Sequence, residues 1–409
     1  MVEWCLAQED STGAIAEERA VETQTPPVVP ARYNIALGAG GLKLSAGLEA
    51  LYIDNVFLTH EQTRDDFILV PQLNAGAFLP VGQINLLRFD VGLAYYEYLK
   101  NTKLNSGTPT ISPNSDLEFH IHAGDFQITL SEAFSYQETP FYDTGGQFFN
   151  VYNSGRFARY DNRVGASARW DLHHLVLDAG YHHEDLLSDG SLYNFIDRHS
   201  EVFDADAFLA VTPVISVGLE AAGSFNSFDH VRYNDHWRAG AGPGLKLRLS
   251  DYLNARFGGG YQRIQYDSAL DGQYGLDGFN TYYAYGILEH ELNKFFSHSL
   301  KVWHDNQIGI NAANLAGSHV TYSLSWKATE KLTLSPYFEY SHYEESYGPG
   351  LTGLYREIFD YFSGGVSAGY ALNESWRFNV SYDYRLKDSE FVNLGYTQNR
   401  VTLAASYQF

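Results

Sequence analysis

The sequence predicts an all-β protein: a closed transmembrane up-and-down antiparallel β-barrel of about eighteen strands. Three observations predict it. From about residue 33 the apolar residues recur at every second position, the period of a strand with two unlike faces. Short turns and long polar connections alternate along the chain. The composition is 15% aromatic and only 19% charged, where soluble domains carry roughly 25% charged residues.

Charge and residue usage remove several classes. The chain has 409 residues, with 49 Asp and Glu against 27 Lys and Arg, a net charge of −22 that argues against nucleic acid as the main partner. No apolar run reaches the ~18 residues of a membrane helix, which excludes helical membrane proteins. Regular spacing of the apolar residues, 44% of the chain, excludes disorder. The single cysteine, Cys5, permits neither an intrachain disulfide nor a cysteine-based zinc site. The 31 Tyr, 26 Phe and 37 Gly suit strands and aromatic girdles.

Residues 1–32 stand apart as an acidic, proline-containing stretch without alternation, read as a flexible periplasmic leader or a signal remnant. A secretory signal needs a basic start and an apolar core of about 7–15 residues. Residues 1–8 supply neither in full, so the start is misassigned or the signal is trimmed. Val2-Glu3-Trp4 lacks the apolar and small residues of a lipoprotein site, and Cys5 reads as inert. Residues 33–409 form the barrel.

Within the barrel, Leu87, Phe89, Val91, Leu93 and Tyr95 point one way, and Arg88, Asp90, Gly92, Ala94 and Tyr96 the other. Val320, Tyr322, Leu324 and Trp326 oppose Thr321, Ser323, Ser325 and Lys327 in the same manner. So do Trp376, Phe378, Val380, Tyr382, Tyr384 and Leu386 against Arg377, Asn379, Ser381, Asp383, Arg385 and Lys387. Tight turn signals fall at 80–83, 123–125, 172–174, 212–213, 250–251, 293–296, 329–331 and 373–375. Longer polar connections lie between them at 59–64, 101–116, 138–160, 187–198, 230–235, 268–276, 307–317, 345–356 and 387–393. An even strand number then leaves both ends on the short-turn side.

Bilayer hydrocarbon requires every strand edge to be paired, and a closed barrel meets that condition without helices. Tight hairpins on one side and free loops on the other are the pattern of outer-membrane barrels. A soluble barrel would turn its apolar faces inward. A sheet of this many strands, however, encloses a lumen too wide for side chains to fill, so water is the expected filling.

The last strand alternates Val401, Leu403, Ala405, Tyr407 and Phe409 with Arg400, Thr402, Ala404, Ser406 and Gln408, and the chain stops on the aromatic. It resembles the terminal strand of bacterial outer-membrane proteins, whose final Phe is recognised by the barrel-assembly machinery. The resemblance makes Tyr407 and Phe409 the assembly signal.

A narrower resemblance covers residues 33–99. Tyr33-Asn34-Ile35-Ala36-Leu37-Gly38, Leu42-Lys43-Leu44-Ser45-Ala46-Gly47-Leu48 and Tyr52-Ile53-Asp54-Asn55-Val56-Phe57 are followed by Ile68-Leu69-Val70-Pro71-Gln72-Leu73, the turn Pro80-Val81-Gly82-Gln83 and a strand from Leu86 to Tyr98. This stretch resembles the outer-membrane β-barrel porin family called beta-barrel porin 2, in which an aromatic and an Asp-Asn-Val step close the first strand. The resemblance implies a barrel and a pore, and, through relatives associated with exopolysaccharide, export as the alternative. It carries over no functional residue.

Asp178, Asp204, Asp206 and Glu220 fall on the polar faces of the seventh to ninth strands, and Arg238, Lys246, Arg248 and Arg256 on those of the tenth and eleventh. Of these, Asp178, Asp204, Asp206, Glu220, Arg238 and Arg256 are the expected pore-lining residues. Opposed signs across a wet lumen would set up a transverse field that orients dipolar solutes and tunes ion selectivity. In the simpler reading, neighbouring charges pair and keep the lumen hydrated.

The pairs His173-His174 and His182-His183 and the trio His199, His290 and His304 invite a metal reading. Adjacent strand residues point to opposite faces, so neither pair offers both rings to one ion; no metal or cofactor is expected, and one of His182 and His183 should face the lumen. Ser341-His342 and Ser297-His298 are likewise split between faces, and the chain holds no nucleophile elbow, H-E-x-x-H or phosphate loop, so no catalytic residue is assigned. Gly258-Gly259-Gly260 reads as a bend or crowded wall and Gly348-Pro349-Gly350 as a loop tip. Phe141, Tyr142, Phe148, Phe149 and Tyr152 in the long connection 139–160 could stack on sugar rings or fold inward as a constriction.

The expected function is a passive porin for small hydrophilic solutes, with polysaccharide export or surface sugar binding as the alternative. Expected surroundings are outer-membrane lipid and lipopolysaccharide of a Gram-negative-type bacterium, both termini being periplasmic and an oligomer being compatible.

Overall fold

The computed structural model describes residues 33–138, 158–190, 194–230, 235–267, 278–307, 314–346 and 357–409. Its strands are β1 (Ile35–Leu37), β2 (Gly40–Ile53), β3 (Asp66–Val81), β4 (Asn85–Ala94), β5 (Glu97–Tyr98), β6 (Thr110–Ile111), β7 (Asp116–Ala123), β8 (Phe126–Gln137), β9 (Arg159–Asp171), β10 (Leu175–Ser188) and β11 (Arg198–Thr212). They continue as β12 (Ile215–Phe228), β13 (His236–Ser250), β14 (Leu253–Tyr266), β15 (Phe279–Asn293), β16 (Phe296–Gln307), β17 (Asn314–Lys327), β18 (Leu332–Ser346), β19 (Ile358–Ala371), β20 (Trp376–Ser389) and β21 (Tyr396–Gln408).

Eighteen of these, β2–β4 and β7–β21, are the staves of a closed antiparallel barrel. Each stave pairs with the next, and β21 returns to β2 in the register Ser45↔Gln408 to Ile53↔Arg400. Closure leaves no stave with an open edge, the condition a bilayer imposes. Eight connections of two to four residues alternate with nine of six or more, as the turn signals require. Gly82 and Gly124 sit in two of the short turns with φ of +70° and +64°, which a residue without Cβ adopts freely. His173 takes φ +69° in a third, its N–H held by Asp171 Oδ1 at 2.9 Å.

The expected third strand does not run through to Tyr98. β4 ends at Ala94 and the chain leaves the ladder. The cause is Asp66, fully buried at the start of β3, whose carboxylate accepts the backbone N–H groups of Leu99, Lys100 and Asn101 at 3.0, 2.9 and 2.7 Å. This draws the connection back onto β3, so β5 pairs with Ile68 and Leu69, and β6 with the end of β4. Leu51, Ile53, Val56, Ile68, Val70, Tyr98 and Leu104 pack together beneath it.

On the outer face, exposed and half-buried aromatics form two bands. Towards the long connections lie the contact pairs Tyr52–Phe67, Tyr181–Phe203 and Tyr340–Phe362, with ring centroids 4.8, 5.0 and 4.9 Å apart. Towards the short turns lie Phe126–Trp170 and Trp376–Tyr407. Between them Leu48, Leu130, Val164, Leu219, Val302, Val380 and Leu403 are exposed aliphatics. A 14-residue stave such as β2 runs ~46 Å at ~3.3 Å per residue. Tilted by ~40° it rises about 35 Å, more than an apolar band of ~25 Å needs.

Candidate functional site

The candidate site is the inner face, where alternation puts the polar phase of every stave. Its concavity lets side chains three strands apart meet. Three steps are about 14 Å along the sheet, a gap that only an inward-curving face closes.

The largest such group sits on β11–β15. Arg256 of β14 donates from Nη2 to Glu220 of β12 at 2.7 Å and approaches Asp206 of β11 at 3.4 Å. Tyr285 of β15 donates its hydroxyl to the two Glu220 oxygens at 2.5 and 2.6 Å and accepts from Arg256 Nε at 3.1 Å. Glu220 is wholly buried. The guanidinium also lies 5.8 Å from the Phe208 ring centroid, and the Lys246 ammonium 3.8 Å from the same ring. Glycines make room for this reach. A Cβ on Gly244 would stand 2.8 Å from Glu220 Cδ, and one on Gly258 would stand 2.6 Å from both Glu220 Oε2 and Tyr285 Cζ.

The sequence-derived residues separate as follows. Asp206, Glu220 and Arg256 meet in this group, side by side on one stretch of wall. Arg238, also buried, donates instead from Nη1 to the Asn306 carbonyl at 2.5 Å, near the long-connection end of β13. Asp178 pairs with Arg169 of the neighbouring stave at 3.3 Å. Asp204 lies over Gly180 of β10. Arg248 pairs with Asp251 at the short-turn rim. Tyr407 packs edge-on against Phe409, ring centroids 5.2 Å apart, and the Phe409 N–H reaches the Leu44 carbonyl at 3.1 Å, so the final residue is tied to the first stave.

Further inward groups went unremarked in the sequence. Arg88 bonds Asp90 and Asp116 at 2.9 and 3.1 Å and lies 3.5 Å from Glu118, which His120 touches at 3.1 Å. Glu49 receives Gln72 at 3.2 Å and lies 3.6 Å from Arg400 across the closing seam. Lys387 and Glu357 form a buried pair at 2.8 Å, with the ammonium 4.1 Å from the Phe359 ring centroid. Tyr285 had a signal: Tyr283, Tyr285 and Ile287 interrupt the polar phase of β15, and the first two sit opposite Gly260 and Gly258. Large residues facing glycines across a ladder mark a place where side chains lie flat over the next strand. The glycine run 258–260 is thus a crowded wall.

The histidines also sort by phase. His182 faces inward, 3.1 Å from both Glu184 and Arg163, and His183 faces outward. His290 and His298 touch at 3.1 Å, and His304 stacks on Tyr282. Ser341 meets His319 of β17 at 2.9 Å rather than His342. Both are buried, and the imidazole is stacked on Trp303 at 4.5 Å. That Ser–His contact offers no surface to a substrate. Phe141, Tyr142, Phe148, Phe149, Tyr152, Gly348-Pro349-Gly350, Cys5 and the segment 1–32 lie outside the described residues.

No family model and no curated protein sequence matches the chain. Similar solved structures are outer-membrane barrels. OpdK of Pseudomonas aeruginosa has 13% identity and a TM-score of 0.48, over 90% of this chain and 99% of that one. OccK2 (OpdF) of Pseudomonas aeruginosa in complex with glucuronate has 12% identity and a TM-score of 0.49, over 92% and 100%. Outer-membrane expressed OmpT of Vibrio cholerae has 10% identity and a TM-score of 0.41, over 92% and 99%. Likeness at this level transfers neither a residue role nor a solute. The resemblance of residues 33–99 to beta-barrel porin 2 has no matching family model behind it.

Proposed function

We propose that this chain is an outer-membrane channel, a passive path for small hydrophilic solutes through the envelope of a Gram-negative-type bacterium. One observation carries the reading. The closed barrel is apolar and aromatic outside, in two girdles with aliphatics between them, and charged inside, with carboxylates, arginines and tyrosines bonded to one another. That outer face matches a bilayer with two interfaces, and that inner face matches water. Eighteen strands fall in the range that leaves an aqueous passage.

In this reading the short turns, Phe409 and the leader lie in the periplasm and the long connections outside. Lipid and lipopolysaccharide cover the outer face, and the barrel-assembly machinery reads Tyr407 and Phe409. The alternatives, polysaccharide export expected from the family resemblance and sugar binding expected from aromatics in the connection 139–160, have no observation among the described residues that favours them. Conductance of the purified protein in a planar bilayer tests the proposal. Stepwise current that scales with salt is expected; folded protein that passes no current as monomer or oligomer would sink it.

A further inference from the structure

Five titratable side chains converge on the outer face just beyond the girdle residues Tyr181 and Phe203, which are 42% and 45% exposed. They are His183 and Asp185 of β10, His199 and Glu201 of β11, and Asp229 directly after β12. The outward phase follows from Tyr181 and Phe203, each two residues along its strand from His183 and Glu201. The register His183↔Glu201 and Asp185↔His199 places the two imidazoles on a diagonal, stacked with centroids 6.2 Å apart and planes at 16°.

Asp185 Oδ1 lies 3.0 Å from His183 Nε2 and 2.5 Å from His199 Nδ1. The distal nitrogens are held too, His183 Nδ1 at 2.9 Å from Glu201 Oε1 and His199 Nε2 at 3.2 Å from Asp229 Oδ1. A neutral imidazole has one N–H and one lone pair. All four ring nitrogens here face carboxylate oxygens, so two neutral rings would aim two lone pairs at acids. A cation shared between the rings would take up those lone pairs. When the N–H groups go to Glu201 and Asp229, the two remaining lone pairs converge with Asp185. Those three ligand atoms lie within 4.8 Å of one another.

We propose that His183, His199 and Asp185 bind a divalent transition-metal ion of the zinc type, with Glu201 and Asp229 as positioning carboxylates. Imidazole nitrogens and a carboxylate oxygen at ~2.0–2.2 Å are zinc's usual ligands, and three protein ligands leave a fourth position open. In a tetrahedral sphere such ligand atoms stand about 3.3 Å apart, so the 2.5 and 3.0 Å separations need only open slightly. A metal-binding histidine almost always gives its second N–H to a carboxylate or carbonyl, which orients the ring; both rings already have that partner. With neutral rings the five groups carry three negative charges, which a dication largely offsets. The fourth position would be left to water or an anionic oxygen.

The test uses untagged, full-length barrel folded in detergent, stripped with chelator and titrated with zinc by equilibrium dialysis, and with cobalt by visible absorption. One zinc per chain and cobalt ligand-field bands are expected. Glu201→Gln should weaken zinc binding by about ten- to a hundred-fold. His183→Ala or His199→Ala should weaken it further and abolish the cobalt bands, while His290→Ala at the opposite girdle changes nothing. Retained heat-modifiable mobility shows that each variant is still a barrel, so a loss reports on the site. No saturable zinc uptake, or uptake unchanged in the His183→Ala/His199→Ala double variant, would overturn the proposal.

Discussion

Glu220 and Asp206 have side chains 0% and 3% exposed, and Arg256 is the cation that touches both. A guanidinium bonded to two carboxylates that are withdrawn from water is costly to remove. Arg256→Met should therefore destabilise the barrel by about 3–5 kcal/mol, read as a fall in the temperature of the mobility shift on gels. Tyr285→Phe removes one hydroxyl donor to a charged acceptor and should cost about 1.5–3 kcal/mol. Equal losses for the two would mean that packing, not charge, holds the group. In a bilayer, replacing Asp206 and Glu220 together by amides should move the reversal potential towards anions, and Arg256→Met towards cations. If neither moves it, the selectivity filter lies elsewhere. Net charge alone predicts nothing here, since charges beyond ~8 Å are screened at physiological salt.

Staves β13 and β14 act through what they lack. Gly244 and Gly258 form a floor over which Glu220 and Tyr285 bond, and a methyl group there has no space. Gly258→Ala should separate the two side chains and destabilise by about 1–3 kcal/mol. Gly107→Ala, in a connection with nothing within 4 Å, should leave the mobility-shift temperature unchanged. A Gly258→Ala barrel as stable as the parent would show that the staves can shift to absorb the methyl. At the seam, Phe409 is tied to Leu44 by its backbone and stays 60% exposed, so its ring adds little packing. Phe409→Ala should lower the amount of assembled barrel in cells while protein refolded in detergent keeps its melting temperature. An equal loss in both settings would make the residue a packing element rather than an assembly signal.

For the molecule as a whole, even stave number and antiparallel pairing put Phe409, beside Leu44, at the short-turn end. Which end faces outside is tested with single cysteines in a Cys5→Ser background. An impermeant maleimide added to intact cells should label Gly107→Cys in a long connection and miss Gly124→Cys in a short turn. Labelling of the second site alone would invert the orientation.

Strand number, the two-sided rule of connections and the outward phase were all legible in the sequence. They rest on local chemistry: a period of two along each strand, turn residues between strands, and an unbroken series such as Trp376, Phe378, Val380, Tyr382 and Tyr384. The inward phase of Asp206, Glu220, Arg238 and Arg256 was legible for the same reason. Their partners were not. Arg256 meets Glu220 and Asp206 while Arg238 goes to Asn306, and His183 meets Asp185 and, through it, His199. Those choices depend on cross-strand register, on wall curvature that shortens a three-strand gap, and on glycines that clear the path. These quantities couple residues on different staves, and only the closed tertiary structure sets them.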